Sequence, residues 1–359
     1  MKTILADAQQ DAELRRLAAT DAMPGWVRLA YAREPDFFTG TAVEGTCVQV
    51  IAGIEGDRFI GMGTRALKPA YINGAPQTIG YLGGLRSWPE FRGGRSLFHG
   101  YRLLRQLHAD GRCPFYLTTI LADNRAAQTL LASGRAGLPR YADHGLYHTH
   151  AFAPTALAKL APDDGERGTP ETLPEILAFL AENGRRRQFF PVLEPAMFGT
   201  DYLRGLSADD FVILRTPQGA IAGVTAVWDQ RAFRQLNVLG YSPLVRRLRP
   251  LLNPCLRLLG SIPLPAPGTK LACGFLSFFC VRQDDPALAR RLLSAAARHP
   301  KAQGLAALAI GLHERDPLHP PLAAIRGLRY RSRLYLVAFA EDPPPALDYR
   351  PPWLELGSL

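Results

Sequence analysis

Apolar and polar positions along this 359-residue chain change period in an order that predicts a mixed α/β protein. From Thr78 to Ser87 strand formers dominate at Ile79, Tyr81, Leu82 and Leu85. Pro89 stops the ladder, and after Gly93-Gly94 the apolar positions take helical spacing at Leu97, Tyr101 and Leu104. A glycine loop that opens a helix leaves the first backbone N–H groups unpaired and convergent, which suits a phosphate. Upstream, 3–40 reads as helical and irregular, with a helix at Asp11–Ala19. Strands are expected at Thr46–Ile54 and Arg58–Arg65, joined by the hairpin residues Glu55-Gly56-Asp57. The third long strand, Ala75–Ser87, is interrupted by Gly83-Gly84, which inside a strand marks a bulge or the close approach of another backbone or a ligand.

Further on, Phe115–Leu121 reads as a strand and Arg125–Ala132 as a helix capped by Asp123 or Asn124. Two short strands follow, near Tyr141 and at Leu146–Phe152. Residues 154–172, rich in Pro, Gly and charge, read as a linker. The second half repeats the plan with a helix at Leu173–Glu182 and a hairpin of Phe211–Arg215 with Ile221–Trp228. A strand at Phe275–Arg282, a helix from Pro286 to Ala297 and a strand at Leu305–Leu312 complete it. The ends of the halves also match in residues. Gly137-Leu138, Arg140-Tyr141, Leu146-Tyr147 and Ala151-Phe152-Ala153 correspond in order to Gly327-Leu328, Arg329-Tyr330, Leu334-Tyr335 and Ala338-Phe339-Ala340. This predicts an internal duplication, with domains at 1–153 and 173–345 and a tail at 346–359. An insert, Tyr241–Lys270, carries leucines with arginines between them. Its prolines at 243, 250 and 254 predict short pieces packed as a cover on the domain interface rather than a membrane-surface helix.

Composition narrows the functional classes. Apolar residues make up 47%, enough for a core in each half, and the net charge of +10 is spread evenly: 18 basic against 13 acidic residues in 1–160, and 24 against 19 in 161–359. A diffuse surplus suits an anionic small ligand, and without a clustered stripe nucleic acid is not the expected partner. Arg185-Arg186-Arg187 and Arg246-Arg247 with Arg249 read as solvated faces. The five cysteines are scattered without zinc or disulfide spacing, so no metal is expected. The first residues turn polar after Leu5, too soon for a signal peptide, and the apolar run Leu271–Val281 is shorter than the ~20 residues of a membrane helix. A soluble cytoplasmic protein without a membrane partner is expected. His144, His148 and His150, with the last two on one strand face, read as packed or surface side chains rather than a metal or acid–base site.

Two stretches carry a family resemblance. Leu85-Arg86-Ser87-Trp88-Pro89-Glu90-Phe91-Arg92-Gly93-Gly94 resembles the strand and R/Q-x-x-G-x-G/A pyrophosphate loop of the GNAT acyltransferase superfamily, the N-acetyltransferases that use acetyl-CoA. Asn124-Arg125-Ala126-Ala127 through Leu130-Leu131 to Gly134 resembles the family's Asn-x-x-Ala helix. The motifs cover roughly 45–153; for 170–340 the likeness rests on element order. The resemblance implies an α/β fold with a mixed sheet, in two tandem GNAT-like domains of which the second is degenerate. It implies that Arg92, Gly93, Gly94, Arg95 and Ser96 hold the pyrophosphate of acetyl-CoA or another acyl-CoA, that Leu85, Arg86 and Ser87 pair with the pantetheine arm, and that Asn124 touches the cofactor near its thiol end. The implied activity is transfer of the acyl group to a small-molecule or peptide amine, by a monomer or homodimer.

The departures are specific. Arg95 and Leu97 stand where the family has small residues, and Leu131 stands where it often has the tyrosine that protonates the departing thiolate. Tyr141 and Tyr147 read as strand tyrosines packed by their rings. No Asp or Glu occurs from Thr78 to Ser87 to act as a base, so the catalytic acid and base are left unnamed. In the second half, Val281-Arg282-Gln283-Asp284-Asp285-Pro286 has no glycine and two carboxylates where the anion belongs, which argues against a second CoA site. The alternatives are a catalytically silent CoA-binding or scaffolding protein, and an aminoacyl-tRNA-dependent transferase.

Overall fold

The computed structural model describes all residues except 21–26, 93–94, 135–136, 163 and 259–260. The strands are β1 (Lys2–Leu5), β2 (Val27–Ala32), β3 (Cys47–Glu55), β4 (Arg58–Ile72), β5 (Ala75–Ser87), β6 (Tyr116–Leu121), β7 (Arg140–Phe152), β8 (Glu166–Arg167), β9 (Phe211–Arg215), β10 (Ile221–Trp228), β11 (Gln235–Tyr241), β12 (Cys273–Val281), β13 (Ala307–His313) and β14 (Leu328–Ala338). The helices are α1 (Asp11–Thr20), α2 (Phe37–Thr41), α3 (Arg95–His108), α4 (Arg125–Leu131), α5 (Pro154–Leu157), α6 (Leu173–Gly184), α7 (Pro243–Leu258), α8 (Pro286–Arg298) and α9 (His319–Ala323).

All strands but β2 and β11 form one sheet in the order β1-β3-β4-β5-β6-β14-β7-β13-β12-β10-β9-β8, and β2 and β11 make a separate ribbon. Only β5–β6 and β12–β13 pair in parallel among the described strands. The set β3-β4-β5-β6 therefore has the same directions and order as β9-β10-β12-β13, which is the duplication expected from the sequence. The last strand of each half crosses over: β14 pairs with β6, β7 pairs with β13, and the two pair with each other at the centre. The matched words at 137–153 and 327–340 are these equivalent strands. The two short strands expected near Tyr141 and at Leu146–Phe152 are one strand, bent by an extra residue at His144-Gly145, where Gly145 has φ +100°.

Alternation along the strands divides the core. Leu67, Tyr116, Ile120 and Val337 pack under Tyr101 and Leu104 of α3 and Leu131 of α4. Ala66, Tyr81, Leu117 and Leu336 face the other way, onto Leu354 and Leu356 near the C-terminus. β10 is buried at every position because α6 and α8 contact it, and it reads as a continuous apolar run.

Three expectations are corrected. Arg187 is no solvated arginine: it is 3% exposed, bonds Asp316 through Nε and Nη2 at 3.1 Å each, and reaches Asp284 at 2.9 Å. β2 and β11 lie in stretches whose strand character the pattern did not reveal. The insert holds one helix, α7, with Pro250 and Pro254 inside it. Spaced four apart, these prolines put their missing N–H groups on one exposed side of the helix, where the carbonyls they leave unpaired are open to solvent rather than buried.

Candidate active site

The site begins where β5 leaves β6. The two strands pair at Gly80↔Tyr116 and Tyr81↔Leu117 and then part, with Thr118 Oγ1 donating to the Leu82 carbonyl at 2.7 Å. Beyond Leu82, β5 keeps β4 on its other edge, but the register passes from Thr64↔Gly83 to Met62↔Arg86 and skips Gly84 and Leu85. This is the bulge expected at the paired glycines. Gly84 takes φ +61°, a left-handed conformation that a side chain strains, and Leu85 is exposed. Among the described strands, none pairs with the inner edge of β5 from Gly83 to Ser87, and an extended amide-bearing chain can pair with it.

The residues implied by the resemblance are distributed around this split. Leu85, Arg86 and Ser87 lie on the parted segment, and Arg86 Nη1 donates to the Ala18 carbonyl at 2.6 Å. Arg92 is exposed and ends the 3-10 turn Pro89–Phe91. Gly93 and Gly94 lie outside the described residues; α3 opens at Arg95, and the side chains of Arg95 and Ser96 also lie outside the description. Asn124 caps α4, its Oδ1 accepting from Ala127 N at 3.1 Å, so of the two candidate caps it is the one used.

On the face opposite α3, a buried polar group surrounds the bulge that sequence spacing did not reveal. Thr64 Oγ1 donates to Glu44 Oε2 at 3.0 Å, and Arg33 Nη2 stands 3.5 Å from Glu44 Oε1. A Cβ built on Gly83 would lie 3.1 Å from Thr64 Oγ1 and 3.1 Å from Tyr81 Cε1, so these side chains and the bulge meet at one place. The Tyr81 hydroxyl bonds Thr119 Oγ1 at 3.0 Å across the mouth of the split, and burial pushes its pKa up to about 12. Lys68 Nζ sits 5.0 Å from the Tyr81 ring centroid and donates to the Ser358 carbonyl at 2.8 Å; burial pushes it down to about 8. Arg234 donates to the main-chain oxygens of Gly357 and Leu359, and burial lowers it to about 10. A carboxylate from outside β5 thus lies beside the bulge: Glu44, on a 3-10 turn 39 residues before Gly83, is folded against β4. That same turn, through Ala42 with Gly45 and Thr46, walls a groove of about 510 Å³ whose far side is Met197, Thr200 and Tyr202.

The second half has the same split and does not keep it open. β12 and β13 pair from Cys273↔Ala307 to Phe275↔Ala309 and then part. β12 bulges at Phe278-Phe279, with Phe278 at φ +54° where the first half has Gly84. The C-terminal segment covers this bulge. Phe278 N donates to Glu355 Oε2 at 2.7 Å, Gly357 N donates to Glu355 Oε1 at 3.2 Å, and a Cβ on Gly357 would lie 2.8 Å from the Trp228 ring. Burial raises the Glu355 carboxyl despite these donors. At the head of α8, Asp285 Oδ1 accepts from Ala287 N at 2.7 Å and Asp284 is held by Arg187, so carboxylates occupy the place of an anion.

Tyr141 and Tyr147 are packed by their rings. Tyr141 bonds the Tyr101 hydroxyl in the core under α3, and Tyr147 OH donates to the Leu354 carbonyl at 2.9 Å. The histidines are also packed. His148 lies 4.2 Å from His319 and 6.2 Å from His150 between ring centroids, in the seam of β7, β13 and α9, and His313 Nε2 bonds the His144 carbonyl at 2.7 Å. Among the described residues no group of three His, Cys, Asp or Glu side chains is arranged to hold a metal ion, and no helix is long and apolar enough to cross a membrane.

A sheet parted after two parallel pairs, a bulge beside the parting and a helix opening at its end define a GNAT-like fold, here in tandem with exchanged last strands. Solved structures carry the same fold. The N-myristoyltransferase of Saccharomyces cerevisiae, solved with bound myristoyl-CoA, matches with a TM-score of 0.59 at 10% identity over 97% of this chain and 87% of that one. A protein of unknown function from Enterococcus faecalis V583, described as a probable N-acyltransferase, matches with a TM-score of 0.53 at 9% identity over 95% and 73% of the two chains. The glucosamine N-acetyltransferase region of a fungal multi-domain β-N-acetylglucosaminidase matches at 0.58 and 14% identity over 93% of this chain and 38% of that one. No protein-family model matches the sequence, and no curated protein matches it.

Proposed function

We propose that the chain is an acyl-CoA-dependent N-acyltransferase whose first half holds the acyl-CoA and whose amine acceptor enters from the face opposite α3. The observation that carries this reading is the asymmetry between the two splits. The first is free on its inner edge and has a glycine at its bulge; the second is covered by the segment around Glu355.

In this reading the pantetheine arm lies along Leu85, Arg86 and Ser87, and the pyrophosphate is held at the head of α3 by Arg92, Gly93, Gly94, Arg95 and Ser96, with Asn124 near the thiol end. Acetyl-CoA is the simplest donor, and it supplies an activated acyl thioester. Glu44, a buried carboxylate beside the bulge, takes a proton from the acceptor's ammonium; the neutral amine then attacks the thioester carbonyl, and the C–S bond breaks as CoA leaves as the thiolate. The backbone N–H groups of Gly84 and Leu85, skipped by the β4 ladder, steady the charge that develops on the acyl oxygen. The groove walled by Ala42, Thr46 and Met197 admits the acceptor, a small molecule or a peptide amine.

A second reading, acyl-CoA binding without turnover, is favoured by Leu131. It is buried where the thiolate's acid would stand, and the neighbouring Tyr141 is bonded to Tyr101. Titration calorimetry with acetyl-CoA and with a long-chain acyl-CoA, followed by thiol release with an amine panel, separates the two. Saturable binding with thiol release supports transfer. Binding without release supports the silent reading, and no binding at millimolar ligand refutes both.

A further inference from the structure

The exposed leucines of the described residues concentrate on α7. Its inward face is narrow: Val245 and Leu256 pack on the β2–β11 ribbon against Val27, Leu29 and Val238. Asn253 fastens it there by exchanging two hydrogen bonds with the main chain of Leu264, at 3.0 and 2.8 Å. On the other side Leu244, Leu248, Leu251, Cys255 and Leu258 recur at spacings of four and three residues, one stripe of the helix, and every one is exposed, Leu251 at 72% and Leu258 at 86%. Leu252 widens the stripe and Arg246 and Arg247 are exposed beside it. Between Gln230 and Gln283 the sequence has eight arginines and lysines and no Asp or Glu.

We infer that α7 lies in the surface of an anionic lipid bilayer, with its leucine stripe at the acyl boundary and its arginines on the headgroup phosphates. A basic helix with an exposed apolar face and no carboxylate in the sequence around it has the chemistry of an interfacial helix. Its 16 residues are too few to span the hydrocarbon, and the Asn253 clamp holds it flat against the ribbon. A second copy of the chain is a poorer occupant. The four-three spacing suits a helix pair, but α7 offers only two heptads with Pro250 and Pro254 inside them. Pairing would also bring Arg246 and Arg247 of two copies together with no carboxylate between them. The site is separate from the acyl-CoA split and does not depend on the transferase reading.

The test is flotation of the full chain with phosphatidylcholine vesicles, with and without a quarter phosphatidylglycerol, at low and high salt. The double variants Leu251→Glu/Leu258→Glu and Arg246→Glu/Arg247→Glu are measured alongside. All four side chains are exposed, so both variants keep the wild-type circular dichroism. Binding confined to the phosphatidylglycerol vesicles and weakened by salt is expected. The leucine pair should lower the partition about 100-fold, from two leucine side chains no longer buried, and the arginine pair about 10-fold or more. Absence of binding to either vesicle overturns the inference, as does binding that both variants leave unchanged. So does a dimer in sedimentation equilibrium that the leucine pair dissociates in a chain that ignores vesicles.

Discussion

His150 gives the sharpest quantitative test of how the two halves are joined. It lies in β7 at the exchanged seam and is fully buried. It is paired with Arg329 on one side and Ile310 on the other, and neither ring nitrogen has a hydrogen-bond partner. Burial pushes its pKa down to about 4 from 6.5, and the nearby His319, Arg329 and His148 push the same way. Between pH 6.5 and 4 the unfolded chain therefore binds more protons than the folded one at this ring. Its contribution to stability is fully present above pH 6.5 and is lost as pH falls towards 4. Each pKa unit is worth about 1.36 kcal/mol, so the loss from this one ring by pH 4 is roughly 3 kcal/mol. Leucine is close to histidine in volume and cannot charge. His150→Leu should therefore flatten the acid limb of stability by that amount, while His144, His148 and His319, also lowered by burial, keep part of the slope. Urea unfolding followed by circular dichroism at intervals from pH 7 to pH 4 measures it. Wild type and variant losing stability in parallel over that range would refute the reasoning.

Three further outcomes follow from the site. Gly84→Val forces a β-branched residue into φ +61° with its Cβ 3.5 Å from Thr64 Cγ2; it should weaken acyl-CoA binding at least tenfold by calorimetry while the chain stays folded, at a local cost of about 1–3 kcal/mol. On the proposed mechanism, with the acceptor entering on the face where Glu44 lies, Glu44→Gln should lower kcat about 10²- to 10³-fold in a thiol-release assay and leave the calorimetric affinity for acyl-CoA within a factor of two. Arg187→Met strips the cation from Asp316, itself 1% exposed, and should cost about 3–5 kcal/mol in urea unfolding; the double variant Arg187→Met/Asp316→Leu should recover part of it.

Much of the fold was legible along the chain because its signals are local. Period-two alternation with a paired-glycine interruption located β5 and its bulge, helical spacing located α3 and α4, and the repeated words at 137–153 and 327–340 marked the duplication. Arg187 was misread because a run of three arginines looks the same whether or not Asp316 and Asp284 are folded against it. α7 was misread for the opposite reason: prolines break a helix by local rule, and only the exposure of their side of it makes them tolerable.

By itself the sequence determined most of the strands and helices, though not β2, β11 or α7 as one helix, together with the bulge where the first half parts and the carboxylates that stand at the head of α8. Those follow from steric and hydrogen-bonding preferences acting within a few residues. Only the tertiary structure decided that β7 and β14 change places, that the Glu44 carboxylate is buried against Thr64 beside the first bulge, and that Glu355 covers the second. Each of these joins residues tens to more than a hundred positions apart, through contacts that exist only once two apolar faces have closed on each other, and no spacing along the chain records them.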